Sequence, residues 1–228
     1  MNTAIIVAAG SGKRFASETP KQFLDLAGKP VIIHTLERFE ACPEIHQVIL
    51  VLAVSEIEAF ETIAPNYSLT KVSCIIPGGK TRAESVFNGL QAVDQRTEII
   101  AVHDGARPLV AVDEISAIVL KAKETGAACL VAPVTDTIKQ ISGNEITATL
   151  DRKNLRRALT PQAFRYEILQ KAFANADLGD EVTDECFLVE KLGRTITFIE
   201  GSSKNVKITH AEDMIAVEAF MKSSEFKF

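Results

Sequence analysis

Continuously apolar runs alternate with amphipathic stretches along this sequence, and this alternation constrains the fold more than any other feature. The first run, TAIIVAA, has no period-two alternation and stops at Gly10, which is typical of a strand buried on both faces. Strands that alternate with helices form a mostly parallel sheet with helices packed on its faces. The sequence therefore predicts an α/β fold with strands at Thr3–Ala9, Val48–Ala53, Val72–Ile76, Ile99–Val102, Ala128–Val134 and Thr195–Glu200.

The helices between these strands have recognisable ends. Thr81 and Glu84 form the T-x-x-E pattern of a capping box, which marks a helix N-terminus. Gly126 and Gly193 are suited to helix C-termini, and the last helix is predicted over about Ala211–Met221. With 228 residues, of which 46% are hydrophobic, the chain can bury one large core, so we expect a single domain over its whole length.

One segment departs from the α/β pattern. Ile138–Leu150 (IKQISGNEITATL) alternates polar and apolar residues around Ser-Gly-Asn, which predicts a β-hairpin. We expect an arm at about residues 137–152 that projects from the body of the fold. Because two strands alone bury too little surface to be stable, the arm is expected to pack on a second subunit and form a homodimer.

Composition excludes several classes of protein. A net charge of −5 argues against nucleic-acid binding, which relies on a basic surface. No run approaches about 18 apolar residues and no signal-peptide pattern is present, so we expect no membrane contact and a cytoplasmic location. No CxxC pair is present, so a zinc or redox site is not indicated. We expect four reduced cysteines: Cys42, Cys74, Cys129 and Cys186.

A glycine-bearing loop with several cations follows the first predicted strand. Residues 10–15 read GSGKRF, and Lys21 adds a cation to Lys13 and Arg14. Glycine lets backbone N–H groups approach an anion closely, so this loop is suited to a triphosphate. It is not a P-loop, and Phe15 occupies the third glycine position of the dinucleotide-binding fingerprint. The alternative is a tight strand-to-helix turn that binds nothing.

A second polar loop, HDGARP, follows the strand predicted at Ile99–Val102. Ligands of open parallel sheets collect beyond the carboxyl ends of the strands, so Asp104 and Arg107 should face the same crevice as the loop at Gly10. A carboxylate there can hold Mg²⁺, which binds through one or two carboxylates together with substrate phosphates. The alternative is that Asp104 only caps a turn and pairs with Arg107.

Three further features are compatible with ligand binding. PGGKTRAES, at residues 77–85, enters a predicted helix, and its backbone groups and Ser85 could contact a nucleotide base. A basic cluster follows the hairpin, from which Arg152 could grip a phosphate in a partner subunit's crevice. Lys207 lies near the end of a short strand predicted at Asn205–Thr209. The alternatives are an ordinary turn, a solvated basic face and a surface lysine.

Taken together, the motifs resemble those of the 2-C-methyl-D-erythritol 4-phosphate cytidylyltransferase family of non-mevalonate isoprenoid biosynthesis. They occur in the family's order from about Ala4 to Asp213 and are AAGSGKRF with PKQ, GGKTRAESV, HDGARP, DTIK, LDR with LTPQAF, VTDE and NVKIT. The resemblance implies a Rossmann-like nucleotidyltransferase fold, a homodimer joined through the projecting arm, and Mg²⁺-dependent use of CTP with a small polyol phosphate.

The resemblance also implies roles for individual residues. Those expected around CTP are Ala8, Ala9, Gly10, Gly12, Arg14, Lys21, Gly79, Ser85 and Asp104. Those expected to bind the polyol phosphate are Asp104, Arg107, Thr137, Arg152 and Lys207. Thr137 and Arg152 are expected to come from the partner subunit, and Asp104 is expected to hold the metal. The residues expected to act in catalysis are Arg14, Lys21, Arg152 and Lys207.

The implied reaction is in-line attack by the substrate phosphate on the α-phosphorus of CTP, with pyrophosphate leaving. A phosphate monoester is largely dianionic at neutral pH, since its second pKa is about 6, so no general base is needed. A ribitol-5-phosphate cytidylyltransferase and a non-catalytic nucleotide-binding protein on the same scaffold are the alternatives. A nicotinamide dehydrogenase is disfavoured because the glycine fingerprint is incomplete.

Overall fold

A seven-stranded sheet forms the centre of the chain in the computed structural model, which describes residues 1–10, 15, 19–174, 176–179 and 181–223. Its strands, in chain order, are β1 (Asn2–Val7), β4 (Gln47–Leu52), β5 (Val72–Pro77), β6 (Ile99–Asp104), β7 (Ala127–Pro133), β10 (Arg156–Arg165) and β11 (Thr197–Glu200). Two small antiparallel pairs lie outside it: β2 (Asp25–Leu26) with β3 (Lys29–Pro30), and β8 (Lys139–Ser142) with β9 (Glu145–Thr149).

The strands lie in the order β11-β7-β10-β6-β1-β4-β5. The pairs β1–β4, β1–β6, β4–β5 and β7–β11 are parallel, which confirms the predicted mostly parallel sheet. Each of the six predicted strands is present, with ends that differ by a few residues. The carboxyl ends of β1 and β6 lie side by side, because Val7 pairs with Asp104. This register brings Gly10, the first residue of the glycine-bearing loop, and the HDGARP loop to one edge of the sheet.

Helices cover both faces of the sheet and bury two large apolar clusters. The helices are α1 (Val31–Ala41), α2 (Val54–Ile63), α3 (Arg82–Gln91), α4 (Val112–Thr125), α5 (Tyr166–Ala174), α6 (Glu185–Lys191) and α7 (Ala211–Lys222). One cluster packs α1, α2 and α4 on the sheet, and the other packs α3, α5 and α6 on the opposite face. A smaller cluster joins α7 to the start of α1. None of the described helices combines the length and apolar character that a bilayer span requires.

The predicted helix ends are confirmed. Thr81 is the N-cap of α3, and its hydroxyl accepts a hydrogen bond from the backbone N–H of Glu84 at 3.0 Å. The Glu84 carboxylate reaches the N–H of Lys80 instead of that of the cap residue. Gly126 ends α4 with φ 92°, and Gly193 follows α6 with φ 70°, backbone conformations that favour glycine.

Strand β10 was not predicted from the sequence. It runs antiparallel to both neighbours, β6 and β7, and its pairing with β7 shifts register between Ala158 and Gln162. Its sequence, RRALTPQAFR, lacks a continuous apolar run and contains a proline, which is rare in a central strand. Because Arg156 pairs with Pro133, β10 begins at the edge of the sheet where the parallel strand β7 ends.

The predicted hairpin is present. Strands β8 and β9 are joined through Gly143, which has φ 55°, and they pair only with each other among the described strands. The side chains of Ile141 and Ile146 are each 66% exposed. The arm therefore carries apolar surface that its own chain leaves uncovered.

The strand predicted at Asn205–Thr209 is wrong. These residues form neither helix nor strand, although the N–H of Ile208 donates to the carbonyl of Ala106 at 2.8 Å. The Ile208 side chain is fully buried in the smallest apolar cluster. Burial of Ile208 and hydrogen bonds of Asn205 to Thr160 and Arg107, and not pairing with the sheet, fix the position of the segment.

Candidate active site

A cavity of about 560 Å³ opens at the carboxyl ends of β1 and β6 and at the loop that enters α3. Backbone-rich segments form one side and charged side chains form the other. Its lining residues are Val7, Ala8, Ala9, Gly10, Lys21, Gln22, Gly79, Lys80, Thr81, Arg82, Ser85, Asp104, Ala106, Lys207 and Thr209.

The glycine-bearing side of the cavity is packed so tightly that it excludes larger residues. A Cβ atom added to Gly78 would lie 2.2 Å from the Cβ of Ala9, so only glycine lets the loop approach β1. Ser85 holds this loop in place: its hydroxyl accepts from the N–H of Gly79 at 3.0 Å and donates to the carbonyl of Thr81 at 2.9 Å. We call the part of the cavity lined by Ala8, Ala9, Gly10 and Gly79 the glycine slot.

Asp104 lies on the charged side of the cavity and contacts three cations. Its Oδ1 accepts from Arg82 Nε at 2.9 Å, and its Oδ2 accepts from Arg107 Nε at 3.1 Å and faces Lys207 Nζ at 3.0 Å. The Asp104 side chain is 8% exposed. Burial alone would raise the pKa of Asp104, but the charges of Arg82, Lys207 and Arg107 hold that pKa well below its usual range. Asp104 is therefore an anion at neutral pH.

Arg82 links Asp104 to a second buried carboxylate, that of Glu185. The distances are 2.7 Å from Arg82 Nη1 to Glu185 Oε1 and 3.2 Å from Nη2 to Oε2. Burial lowers the pKa of Arg82, but the charges of Glu185 and Asp104 outweigh burial and the net pKa is raised. Burial raises the pKa of Glu185, and Arg82 opposes that shift. Both Glu185 oxygens accept hydrogen bonds, which is the geometry of an ionised carboxylate.

A buried neutral network fixes the backbone around Asp104. The Asp104 N–H donates to the hydroxyl of Thr160, on β10, at 3.1 Å. His103 Nε2 lies 3.2 Å from the carbonyl of Arg107, which can only accept, so Nε2 carries the proton and Nδ1 accepts from the Thr160 hydroxyl at 2.9 Å. Burial lowers the pKa of His103 to about 3, so the ring is neutral. Asn205 joins this network by donating from Nδ2 to the Thr160 carbonyl at 2.8 Å.

Lys21 and Gln22 also line the cavity. Lys21 Nζ donates to the carbonyl of Ile208 at 2.8 Å. Gln22 is 1% exposed, and its Nε2 donates to the carbonyl of Ala8 at 2.7 Å and to Glu56 at 2.5 Å. Gln22 therefore anchors the short 3₁₀ turn that carries Lys21 to the end of β1.

Comparison with known proteins assigns the family. The family model described as 2-C-methyl-D-erythritol 4-phosphate cytidylyltransferase matches residues 2–223. The protein of that name from Alkaliphilus oremlandii is 41% identical over 224 residues, covering 97% of this chain and 95% of the relative. The chain belongs to this cytidylyltransferase family. A second member, from Syntrophus aciditrophicus, is 41% identical over 225 residues, covering 97% of this chain and 96% of the relative.

Solved structures of the family share the fold. The 4-diphosphocytidyl-2C-methyl-D-erythritol synthase of Anaerococcus prevotii superposes with a TM-score of 0.84 at 27% identity, covering 97% of this chain and 96% of that one. The 2-C-methyl-D-erythritol 4-phosphate cytidylyltransferase of Thermus thermophilus superposes with a TM-score of 0.78 at 30% identity, covering 96% and 98%. The Rossmann-like nucleotidyltransferase fold expected from the resemblance is thereby confirmed.

Most of the residues predicted to bind ligands come together in the cavity. Arg107 lies behind them, where it contacts Asp104 and donates to the carbonyl of Asn205. Gly12 and Arg14 fall outside the described residues. The predicted residues that line the cavity are Ala8, Ala9, Gly10, Lys21, Gly79, Ser85, Asp104 and Lys207.

The remaining two predicted residues lie elsewhere in the chain. Thr137 and Arg152 are exposed near the base of the arm and do not line the cavity of their own chain. Arg152 donates to the carbonyl of Thr135, which holds its side chain against the start of the arm. Their expected contribution to a partner subunit's cavity stays a prediction.

Sequence reasoning missed Arg82 and Glu185. A signal for Arg82 was present, because it is the first residue of α3, where the helix dipole disfavours a cation. A cation in that position indicates nearby carboxylates. The signal for Glu185 is weaker, because an acidic residue in a first helical turn is ordinary.

Proposed function

We propose that this protein transfers the cytidylyl group of CTP to 2-C-methyl-D-erythritol 4-phosphate, giving 4-diphosphocytidyl-2-C-methyl-D-erythritol and pyrophosphate. Family membership over residues 2–223 supports this substrate pair. One observation in the structure carries the proposal: a single cavity combines a glycine slot, Lys21 and the Asp104 cluster. The cluster has three cations and two carboxylates, so one positive charge is left for anionic substrates.

The reaction is one displacement at phosphorus. An oxygen of the polyol phosphate forms a bond to the α-phosphorus of CTP, and the bond from that phosphorus to the bridging oxygen of pyrophosphate breaks. The attacking phosphate is already dianionic near neutral pH, so no proton has to be removed. The cavity therefore has to hold two anions together and neutralise the charge that develops on the α-phosphate. We assign the triphosphate of CTP to Lys21 and Arg14.

Lys207 is suited to receive the phosphate of the second substrate. Arg82 and Arg107 each have another partner besides Asp104, namely Glu185 and the carbonyl of Asn205. The side chain of Lys207 is the most exposed of the three cations, at 34% against 23% and 12%. Lys207 can thus leave Asp104 for a phosphate at the least cost, while the two arginines keep Asp104 in place.

We also propose that the enzyme uses Mg²⁺ and that Asp104 is its protein ligand. The described residues contain no group of three His, Cys, Asp or Glu side chains suited to a metal. The site therefore fits Mg²⁺ as a one-carboxylate site, in which triphosphate oxygens and water complete the coordination. When Lys207 moves to the substrate, Oδ2 of Asp104 loses one of its two cations. When bound, the metal would neutralise charge on the phosphates of CTP.

We propose that the protein acts as a homodimer in which the arm brings Thr137 and Arg152 to the partner's cavity. The arm leaves Ile141 and Ile146 exposed, and an isolated pair of strands is only marginally stable. Strand β10 begins at the same edge of the sheet as the cavity, so the arm leaves the body on the functional side. Arg152 suits phosphate binding because its planar guanidinium can form two parallel hydrogen bonds.

The proposed function is tested by measuring pyrophosphate release. CTP, UTP, ATP and GTP are each supplied with 2-C-methyl-D-erythritol 4-phosphate or with ribitol 5-phosphate, with and without Mg²⁺. We expect rapid release only with CTP, the methylerythritol phosphate and the metal. Faster release with ribitol 5-phosphate would assign the other polyol, and CTP binding without release in any mixture would contradict the proposal.

A further inference from the structure

Glu185 is a fully buried carboxylate that the proposed reaction does not use directly. Its side chain has no solvent exposure, and it does not line the cavity. A buried charge costs several kcal/mol in lost hydration unless a partner compensates it. Arg82 supplies that partner with two of its nitrogens. A buried ion pair is seldom more stable than apolar residues of similar volume, so its position beside Asp104 suggests a role in the site.

The chain holds Glu185 in a fixed position through its neighbours. Asp184 caps α6 by accepting from the N–H of Phe187 at 2.9 Å. Gln162, on β10, donates to Asp184 Oδ2 at 2.9 Å and accepts from the N–H of Cys186 at 3.1 Å. The first turn of α6 is therefore tied to the central sheet on both sides of Glu185. This network holds the backbone that carries Glu185, and Arg82 holds the carboxylate itself.

Arg82 connects the fixed Glu185 carboxylate to Asp104. Its Nη atoms are held by Glu185, and its Nε then lies 2.9 Å from Asp104 Oδ1. Of the three cations around Asp104, Arg82 is the one on Oδ1, whereas Arg107 and Lys207 share Oδ2. Arg82 therefore keeps the Asp104 carboxylate oriented when Lys207 leaves it.

We propose that Glu185 is a positioning residue for cytidylyl transfer, which acts by holding Arg82 so that Arg82 orients the Asp104 carboxylate. This inference rests on the proposed function. A purely structural ion pair would affect the stability of the fold and leave turnover by the folded protein unchanged. A positioning residue affects kcat in protein that is fully folded, because Asp104 is misoriented in the transition state.

The test compares four variants in the pyrophosphate-release assay: Glu185→Gln, Arg82→Met, the double variant and Glu190→Gln. Glu190→Gln is the matched control, since it makes the same chemical change in the same helix, at an exposed residue outside the contacts of Arg82. Folding of each variant is checked by circular dichroism and thermal unfolding. The KM for CTP is measured separately from kcat, because the glycine slot and Lys21 are left intact.

We expect Glu185→Gln to lower kcat by about 10–100-fold, the usual effect of losing a residue that orients a ligand-binding side chain. The KM for CTP should change by less than about threefold, since Glu185 does not reach the cavity. Glu190→Gln should keep kcat within about threefold of wild type. If Glu185 acts only through Arg82, the double variant should have the kcat of Arg82→Met alone.

Three results would overturn the inference: an unchanged kcat in folded Glu185→Gln, an equal loss in Glu190→Gln, or a further loss when Glu185→Gln is added to Arg82→Met. If Glu185→Gln does not fold, Glu185→Asp decides, because it keeps the charge but shortens the reach to Arg82. We then expect a fall in kcat of about tenfold, and an unchanged kcat would overturn the inference. Failure of the proposed function is distinguishable, because wild-type protein itself would then release no pyrophosphate.

Discussion

Replacing Asp104 with asparagine removes the negative charge at the centre of the cationic cluster while keeping nearly the same shape. Arg82 keeps Glu185, and Lys207 is exposed enough to be hydrated. Arg107, whose side chain is 12% exposed, loses its only carboxylate in the cluster and keeps the neutral carbonyl of Asn205. Loss of the Asp104 charge therefore leaves mainly Arg107, which is nearly buried, without a compensating charge.

The expected loss of stability follows from how well each of the three cations is stabilised without Asp104. Breaking a buried ion pair usually costs about 3–5 kcal/mol because a buried charge is left uncompensated. Here two of the three cations have other stabilisation, so we expect the free energy of unfolding of Asp104→Asn to fall by about 2–3 kcal/mol. For a chain of 228 residues this corresponds to a Tm lower by roughly 5–10 °C.

The same substitution should have opposite effects on anion binding and on turnover. The net charge of the cluster rises from plus one to plus two, since one of its two carboxylates is lost. We expect the Kd for inorganic pyrophosphate to fall several-fold in titration calorimetry without metal. We expect kcat to fall by about 10²–10³, the usual loss for one electrostatic contact to the transition state.

Glu40→Gln is the control for this prediction. Its carboxylate accepts from the N–H of Lys71 at 2.9 Å, and neither residue lines the cavity. The control should leave both kcat and the pyrophosphate affinity unchanged. A kcat for Asp104→Asn within tenfold of wild type, or a weaker affinity for pyrophosphate, would refute the charge assignment of the cluster.

Three further predictions concern other parts of the molecule. Lys21→Ala should lower kcat by about 10²–10³ in the same assay, and wild-type turnover would contradict its role. Arg152→Ala should raise the KM for the polyol phosphate. An equal mixture of this variant with Lys21→Ala should regain about a quarter of wild-type activity, because half of the dimers have one intact site. No recovery in verified mixed dimers would exclude an active site shared between the two subunits. His103, with a native pKa of about 3, should contribute about 1.4 kcal/mol less stability at pH 5.5 than at pH 7.5, because the unfolded state alone takes up a proton there below pH 6.5. Burial also lowers the pKa of His34, which is present in both proteins, so urea unfolding should show a loss of stability between these pH values that is about 1.4 kcal/mol greater in wild type than in His103→Gln.

Local patterns were sufficient to predict most of the fold. A buried parallel strand is apolar along its whole length, so the six predicted strands could be recognised one at a time. Glycine at Gly126 and Gly193 identified helix ends because their backbones adopt positive φ. The hairpin could be recognised from its alternation and its Ser-Gly-Asn turn. Each of these signals depends on a few adjacent residues.

The features that were missed depend on residues far apart in the chain. Strand β10 is stabilised by neighbours on both sides, which outweighs its proline and its polar composition. The segment at Asn205–Thr209 alternates polar and apolar residues but pairs with no strand, so its pattern led to a wrong strand prediction. Arg82 and Glu185 are separated by 103 residues, and they meet only because the fold places α3 and α6 on the same face of the sheet.

The sequence predicted the residues that line the cavity better than the ion pairs that hold Asp104 in place. The glycines, Lys21 and Asp104 follow strands whose carboxyl ends share one edge, so their meeting could be predicted from topology alone. The pair of Asp104 with Arg107, which the sequence offered as an alternative to ligand binding, is present in the structure. The contacts of Arg82 and Lys207 with Asp104 could not be predicted, because they depend on side-chain reach from separate segments. Resemblance to the family supplied the role of Lys207, which spacing alone assigns to the surface.

A crystal structure with CTP bound would test most directly whether the nucleotide is held between the glycine slot and the cationic cluster. We expect the base to lie between Ala9 and Gly79, and the phosphates to lie within hydrogen-bonding distance of Lys21. A second cavity of about 640 Å³, lined in part by Phe60, Tyr67 and Cys74, lies beside α2 and β5 and has no such cluster. CTP bound in that second cavity, or with its phosphates turned away from Lys21 and Asp104, would contradict the account.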